Sequence, residues 1–229
     1  AGGSARLEGE PAEGYISSST AGPGAGGQGS VFFSRGGKQV RLSLDQGSDI
    51  RIVHLGMGKA QLFIEGIAID GRLEPVALHC PRQAYLTVSS GCIFSCRYCE
   101  VPNNPSRRKT IDEIVTMVEG ISDSIDAISL TSGVMGSVDE EEEYVLEVVR
   151  SLSHLGIPIG VSIYPAEKTP ERLHEAGVAE VKFNVETATK DLFTHMCLGL
   201  SWNAMWRALE QSVPLFGKNH VFSNLIIGL

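Results

Sequence analysis

The sequence predicts an α/β chain: a partial (β/α) TIM-like barrel of parallel strands preceded by a small N-terminal antiparallel β extension. Three observations predict it. From Ala84 onward, apolar strands and helical stretches alternate at intervals of about 25–40 residues, the sequence form of stacked βα units. Residues 31–80 instead carry short β-rich runs broken by Gly-containing turns. Three of the five cysteines fall within eight positions, directly after the first barrel strand.

Residues 1–30 are dominated by Gly, Ala and Ser, with STAGPGAGGQG at 19–29. Such a composition buries little apolar surface, so a flexible, irregular lead-in is expected. VFFS and QVRLSL then flank Arg35-Gly36-Gly37-Lys38, a hairpin signal. DIRIVHL, AQLFIEG and the turn at 69–71 continue a β-rich extension to residue 80, and its strand edges would be open to another chain.

Residues 81–229 form the barrel segment. Its strands are AYLTVSS (84–90), AISLTSG (127–133), IPIGVSI (157–163), AEVKFNVE (179–186) and HVFSNLIIGL (220–229). Thr110 and Glu113 form a capping box before an apolar stripe of Ile111, Ile114, Val115 and Val118. Asp139 is expected to cap a second helix that buries Val145, Val148, Val149 and Leu152. Thr169-Pro170 opens a third helix that Gly177 closes, and Ser201 caps a fourth ending near Ser212. Parallel strands linked this way wind right-handed and carry chemistry in the loops after the strands. The sequence reaches five strands, so a C-terminal truncation of the barrel is expected.

A net charge of −8 and a pI near 5.3 speak against a nucleic-acid surface. Arg107, Arg108 and Lys109 are expected to form a solvated turn. The apolar runs are too short to cross a bilayer, so no membrane association is expected. An odd, clustered set of cysteines suits reduced metal ligands better than disulfides, which implies a cytoplasmic location. The six histidines form no Cys-His or Ser-His-Asp pattern, and no catalytic side chain is identified beyond the cysteines.

Cys92, Cys96 and Cys99 are spaced Cys-x3-Cys-x2-Cys on the loop after the first strand, where a barrel active site forms. Three thiolates can each bind one iron of a cubane and leave the fourth iron open, which favours chemistry over scaffolding. The alternative is a zinc site with a distant fourth ligand, for which His79 and Cys80 are the nearest candidates.

This loop, with Tyr98 just before the third cysteine, resembles the cluster signature of the radical S-adenosylmethionine (SAM) superfamily, in particular its biotin synthase and lipoyl synthase branch. The resemblance covers roughly residues 79–229. It implies a [4Fe-4S] cluster on Cys92, Cys96 and Cys99, with SAM on the open iron and cleaved reductively to a 5′-deoxyadenosyl radical. Leu130-Thr131-Ser132-Gly133 resembles the family's Gly-rich segment for the SAM amino group, although it departs from the common Gly-Gly-Glu. Asn184-Val185-Glu186-Thr187 is similar to the segment whose Asn and acid bind the SAM ribose, and Ile226 and Gly228 resemble an adenine-packing motif.

The substrate implied is a small molecule or cofactor precursor, and the electron donor a flavodoxin or ferredoxin. Sulfur insertion, as in biotin or lipoyl synthase, requires a second iron–sulfur cluster. Ser162 and Phe222 stand where biotin synthase has auxiliary-cluster cysteines, with Ser162 a candidate cofactor contact. Cys80 and Cys197 are the remaining thiols, so the second cluster stays open, as does a partner protein that would complete it. A carbon-skeleton mutase resembling methylornithine synthase needs one cluster. A non-catalytic iron–sulfur or zinc interaction module is the third reading.

Overall fold

The computed structural model describes residues 3–17, 29–75, 82–103 and 105–228. The chain divides into two units, Ala1–His79 and Cys80–Leu229. His79 and Cys80 lie outside the described residues.

The first unit holds β1 (Gly3–Gly9), β2 (Ser30–Arg35), β3 (Lys38–Leu44), β4 (Arg51–His54), β5 (Lys59–Ile64) and β6 (Ile67–Leu73). Gly36 and Gly37 take φ of +57° and +73°, the left-handed pair that a two-residue hairpin needs, and Arg35 pairs with Lys38 across it. Alternate residues point inward, so Ala5, Val31, Phe33, Leu42, Ile52, Leu62 and Leu73 form one core.

The expectation of an antiparallel extension with open edges needs correction. The strands close into a barrel in the order β1-β3-β2-β6-β5-β4, in which β1 pairs in parallel with both β3 and β4. Closure removes the edges on which docking would depend. The irregular lead-in is likewise corrected over Gly3–Gly9. There Ala5 is fully buried and Leu7 packs on the core, while Arg6 and Glu8 alternate with them, a strand period that the Gly-rich composition around it hides. Residues 18–28 lie outside the described residues.

The second unit is a parallel sheet of β7 (Gln83–Thr87), β8 (Ala127–Thr131), β9 (Ile159–Ser162), β10 (Glu180–Lys182) and β11 (Val221–Phe222), with spatial order equal to chain order. Sequential order is how a barrel winds, and the five described strands form its open arc. Ala84, Leu86, Ile128, Leu130, Val161 and Val181 are buried on one face, while the residues between them point to the other.

Helices α1 (Ile111–Glu119), α2 (Val138–Leu152), α3 (Thr169–Glu175), α4 (Lys190–Met196) and α5 (Trp202–Phe216) connect the strands. The Thr110–Glu113 capping box forms reciprocally. Thr110→Ala is expected to cost about 1 kcal/mol, read as a lower urea midpoint at unchanged slope.

Other boundaries differ from expectation. Ser137, not Asp139, caps α2, because Ser137 reaches the Glu140 amide while Glu140 answers to the Ser137 amide. Helix α4 has no counterpart among the expected helices, although Thr189 caps it. The last strand is only Val221–Phe222, because side chains interrupt the ladder beyond it. The Val185 amide donates to Ser223 Oγ and the Asn224 amide to Asn184 Oδ1. Among the described residues no helix is long and apolar enough to cross a membrane.

Candidate metal centre and cofactor cleft

The cysteine loop leaves β7 and is pinned by backbone hydrogen bonds to two neighbouring segments. Ile93 N donates to Val134 O (2.7 Å), and Arg97 N to Met196 O (2.8 Å). Glycine is required at one approach: a Cβ on Gly133 would lie 2.2 Å from Gly91 O and 3.3 Å from Cys92 Cβ. The segment Ser132-Gly133 therefore packs directly under the loop, bonded through Gly133 N to Ser89 O.

All three loop cysteines are half-buried free thiols, and Cys197 is fully buried. Burial pushes the Cys96 thiol up to about 12, helped by the neighbouring Cys197. Cys99 is raised for the same first reason, with Cys92 and Glu186 adding to it. The three thiols thus lie within reach of one another's charge. Among the described residues no three His, Cys, Asp or Glu side chains converge as a single ion would require. A cubane instead takes each thiolate on a separate iron at its own corner, and a loop of three thiols fits that donor set with one iron left over.

Tyr98 bridges the loop to the fourth strand end. Its hydroxyl lies 3.8 Å from Cys197 Sγ and is close enough to Glu186 for each to act on the other's charge. Burial raises the Tyr98 phenol and also raises the Glu186 carboxyl. Glu186 holds a left-handed backbone (φ +56°), with its amide bonded to Asn224 O.

A small open cleft of about 150 Å³ adjoins the loop. It brings together Cys92, Cys96, Ser132, Gly133, Ser162, Asn184 and Glu186. Cys99 and Tyr98 adjoin it through the loop. Ile226 N donates to Glu186 O (2.8 Å), but neither Ile226 nor Gly228 lines the cleft.

Sequence reasoning missed the support beneath this site. Glu141 is 2% exposed and accepts from Ser132 Oγ (2.6 Å) and from Arg108. Arg108 also donates to Ser89 Oγ (3.1 Å) and stacks over Tyr144. The Ser132 hydroxyl in turn accepts from Ser89 N (3.0 Å), so it is committed to holding two strand ends together. The expected solvated turn at 107–109 is corrected accordingly: Arg108 pairs with a buried acid, and Lys109 Nζ caps Thr87 O. The acidic run from Asp139 to Glu143 gave no sign of which member turns inward, because that depends on the helix phase set by Ser137.

Fold and site together define a cofactor-binding partial barrel with a three-cysteine loop at the strand ends. The chain belongs to the radical SAM superfamily, whose model matches residues 86–229. It is 23% identical over 133 residues to biotin synthase of Aquifex aeolicus (strain VF5), covering 54% of this chain and 40% of that enzyme. Two solved structures share the fold. HydG, a maturase of the [FeFe]-hydrogenase, matches with TM-score 0.56 and 18% identity over 64% of this chain and 35% of its own. HydG from Carboxydothermus hydrogenoformans matches with TM-score 0.54 and 23% identity over 62% and 35%. The chain spans about 40% or less of these relatives. Family membership implies a [4Fe-4S] cluster and SAM.

Proposed function

We propose that this chain carries the SAM-cleaving core of a radical SAM enzyme acting on a small molecule or cofactor precursor. The observation that carries the reading is one cleft that gathers Cys92 and Cys96 with Gly133, Asn184 and Glu186, residues from three separate segments. Cys92, Cys96 and Cys99 would hold the cluster. When bound, it supplies the electron that splits SAM into methionine and a 5′-deoxyadenosyl radical.

The chain's own residues bind and orient. Gly133 lets the strand end approach the loop, and Ser132 holds that approach through Glu141. Asn184, whose Oδ1 accepts the Asn224 amide, and Glu186 would offer an amide and a carboxylate to the ribose hydroxyls, with Tyr98 beside the carboxylate. Phe94 packs at 4.9 Å on Tyr164, and both line the cleft. Ile226 and Gly228, on the segment after β11 that bonds to Glu186, are proposed to approach adenine. An external flavodoxin or ferredoxin would deliver the electron.

Beyond the loop, the cleft's polar groups are hydroxyls, an amide, a carboxylate and an ammonium, with Ser162 on its floor. That donor set favours a reaction using one cluster over sulfur insertion. Anaerobic reconstitution followed by SAM and dithionite tests the reading. 5′-Deoxyadenosine above the protein-free background supports it, and background levels with a loaded cluster refute it.

A further inference from the structure

The cleft-facing side of the parallel sheet carries a polar row one step deeper than the Ser132, Gly133, Asn184 and Glu186 contacts proposed for SAM; it includes Ser162, which the sequence offered as a cofactor contact. Thr131 pairs with Ser162. Val181 pairs with Val161, which puts Lys182 level with Ser162. Thr131, Ser162 and Lys182 therefore stand side by side across β8, β9 and β10, about 4.8 Å apart. All three line the cleft.

Strands of a parallel sheet covered on both faces ordinarily present Val, Ile and Leu, and half-burying two hydroxyls and an ammonium costs solvation unless a partner restores it. Among the described residues the Lys182 side chain takes part in no hydrogen bond or ion pair. Glu186 does not neutralise it: that carboxyl is engaged by Tyr98 and Asn184, and Lys182 acts on it least of the four influences. Glu180, on the same face two residues earlier, lies against Gly160. Tyr164 accepts the Ser201 amide at 3.0 Å, which leaves its own O–H to donate. Lys182 also lies about 6.5 Å deeper along the strand than Asn184, away from the loop end.

We propose that this row is an anion subsite for the substrate, a small molecule whose carboxylate Lys182 holds with the Thr131 and Ser162 hydroxyls. The proposal rests on the radical SAM reading of the cleft and names the substrate class within it. Val134, Ile163, Leu200 and Met205 supply apolar wall for a carbon chain above the carboxylate. The other carboxylate that enters such a cleft is that of SAM itself, so the test separates the two.

The probes are 3-phenylpropionate and hexanoate, each against its neutral amide, titrated by ligand-observed NMR into the full chain without reductant. One charge-assisted contact is worth roughly tenfold or more in affinity. The carboxylates are expected to bind about tenfold tighter than their amides. Lys182→Met removes that preference and Lys182→Arg keeps it, while SAM affinity is unchanged in Lys182→Met. Equal or absent binding of acids and amides, or a preference that survives Lys182→Met, overturns the proposal. Weakened SAM binding in Lys182→Met assigns the ammonium to SAM and overturns it too. Deoxyadenosine formation is scored separately, so carboxylate selectivity without SAM cleavage would refute the radical reading alone.

Discussion

Cys96→Ala is expected to reduce deoxyadenosine formation to background and to lower iron well below the roughly four atoms per chain of a filled cubane. Cys96 is the middle thiol of the loop and lines the cleft, so its removal is expected to leave one corner of the cubane without its ligand. The informative control is Cys197→Ala. Cys197 lies beside Cys96 and Tyr98 and is the one other thiol among the described residues, so it could substitute as a ligand. Cys197 is buried and packs beside the loop, and its removal is expected to leave iron content and the cluster spectrum intact. Loss of the cluster in Cys197→Ala with retention in Cys99→Ala would reassign the ligand set.

Glu141→Ala is expected to destabilise the second unit by about 1–3 kcal/mol, because it leaves the partly exposed Arg108 and the Ser132 hydroxyl without their acceptor. For a unit of this size that is a fall in Tm of about 2–12 °C. The same change frees the Ser132 hydroxyl, so SAM affinity should fall in protein that is still folded. Replacing both charges, as Glu141→Leu with Arg108→Met, is expected to recover much of the stability but not the SAM affinity. If the double variant restores both, the pair is merely structural and the Ser132 linkage is wrong.

Local signals were the legible ones. The Thr110–Glu113 box and the Gly36-Gly37 hairpin each depend on neighbours a few residues apart, and both formed where their residues predicted. What escaped depends on distant pairing. β1 joins β3 and β4 only through parallel registers across 40 or so residues, which Gly-rich composition gave no reason to expect. The short β11 follows from Asn184 and Ser223 reaching across strands to take backbone partners.

The site was legible in outline and not in its supports. Asn184 and Glu186 stood out by motif. Lys182, two residues earlier on the same face, was readable from the strand period alone, but its level with Ser162 and Thr131 needed the register. Glu141 and Arg108 lie 33 residues apart, and no local pattern links them.

The central claim is that a three-cysteine cluster offers SAM one open iron. Mössbauer spectroscopy of the chain reconstituted with 57Fe, before and after SAM, tests it most directly. About one iron in four is expected to change its spectrum on SAM addition. Four unchanged irons, or stoichiometric zinc in place of iron, would contradict it.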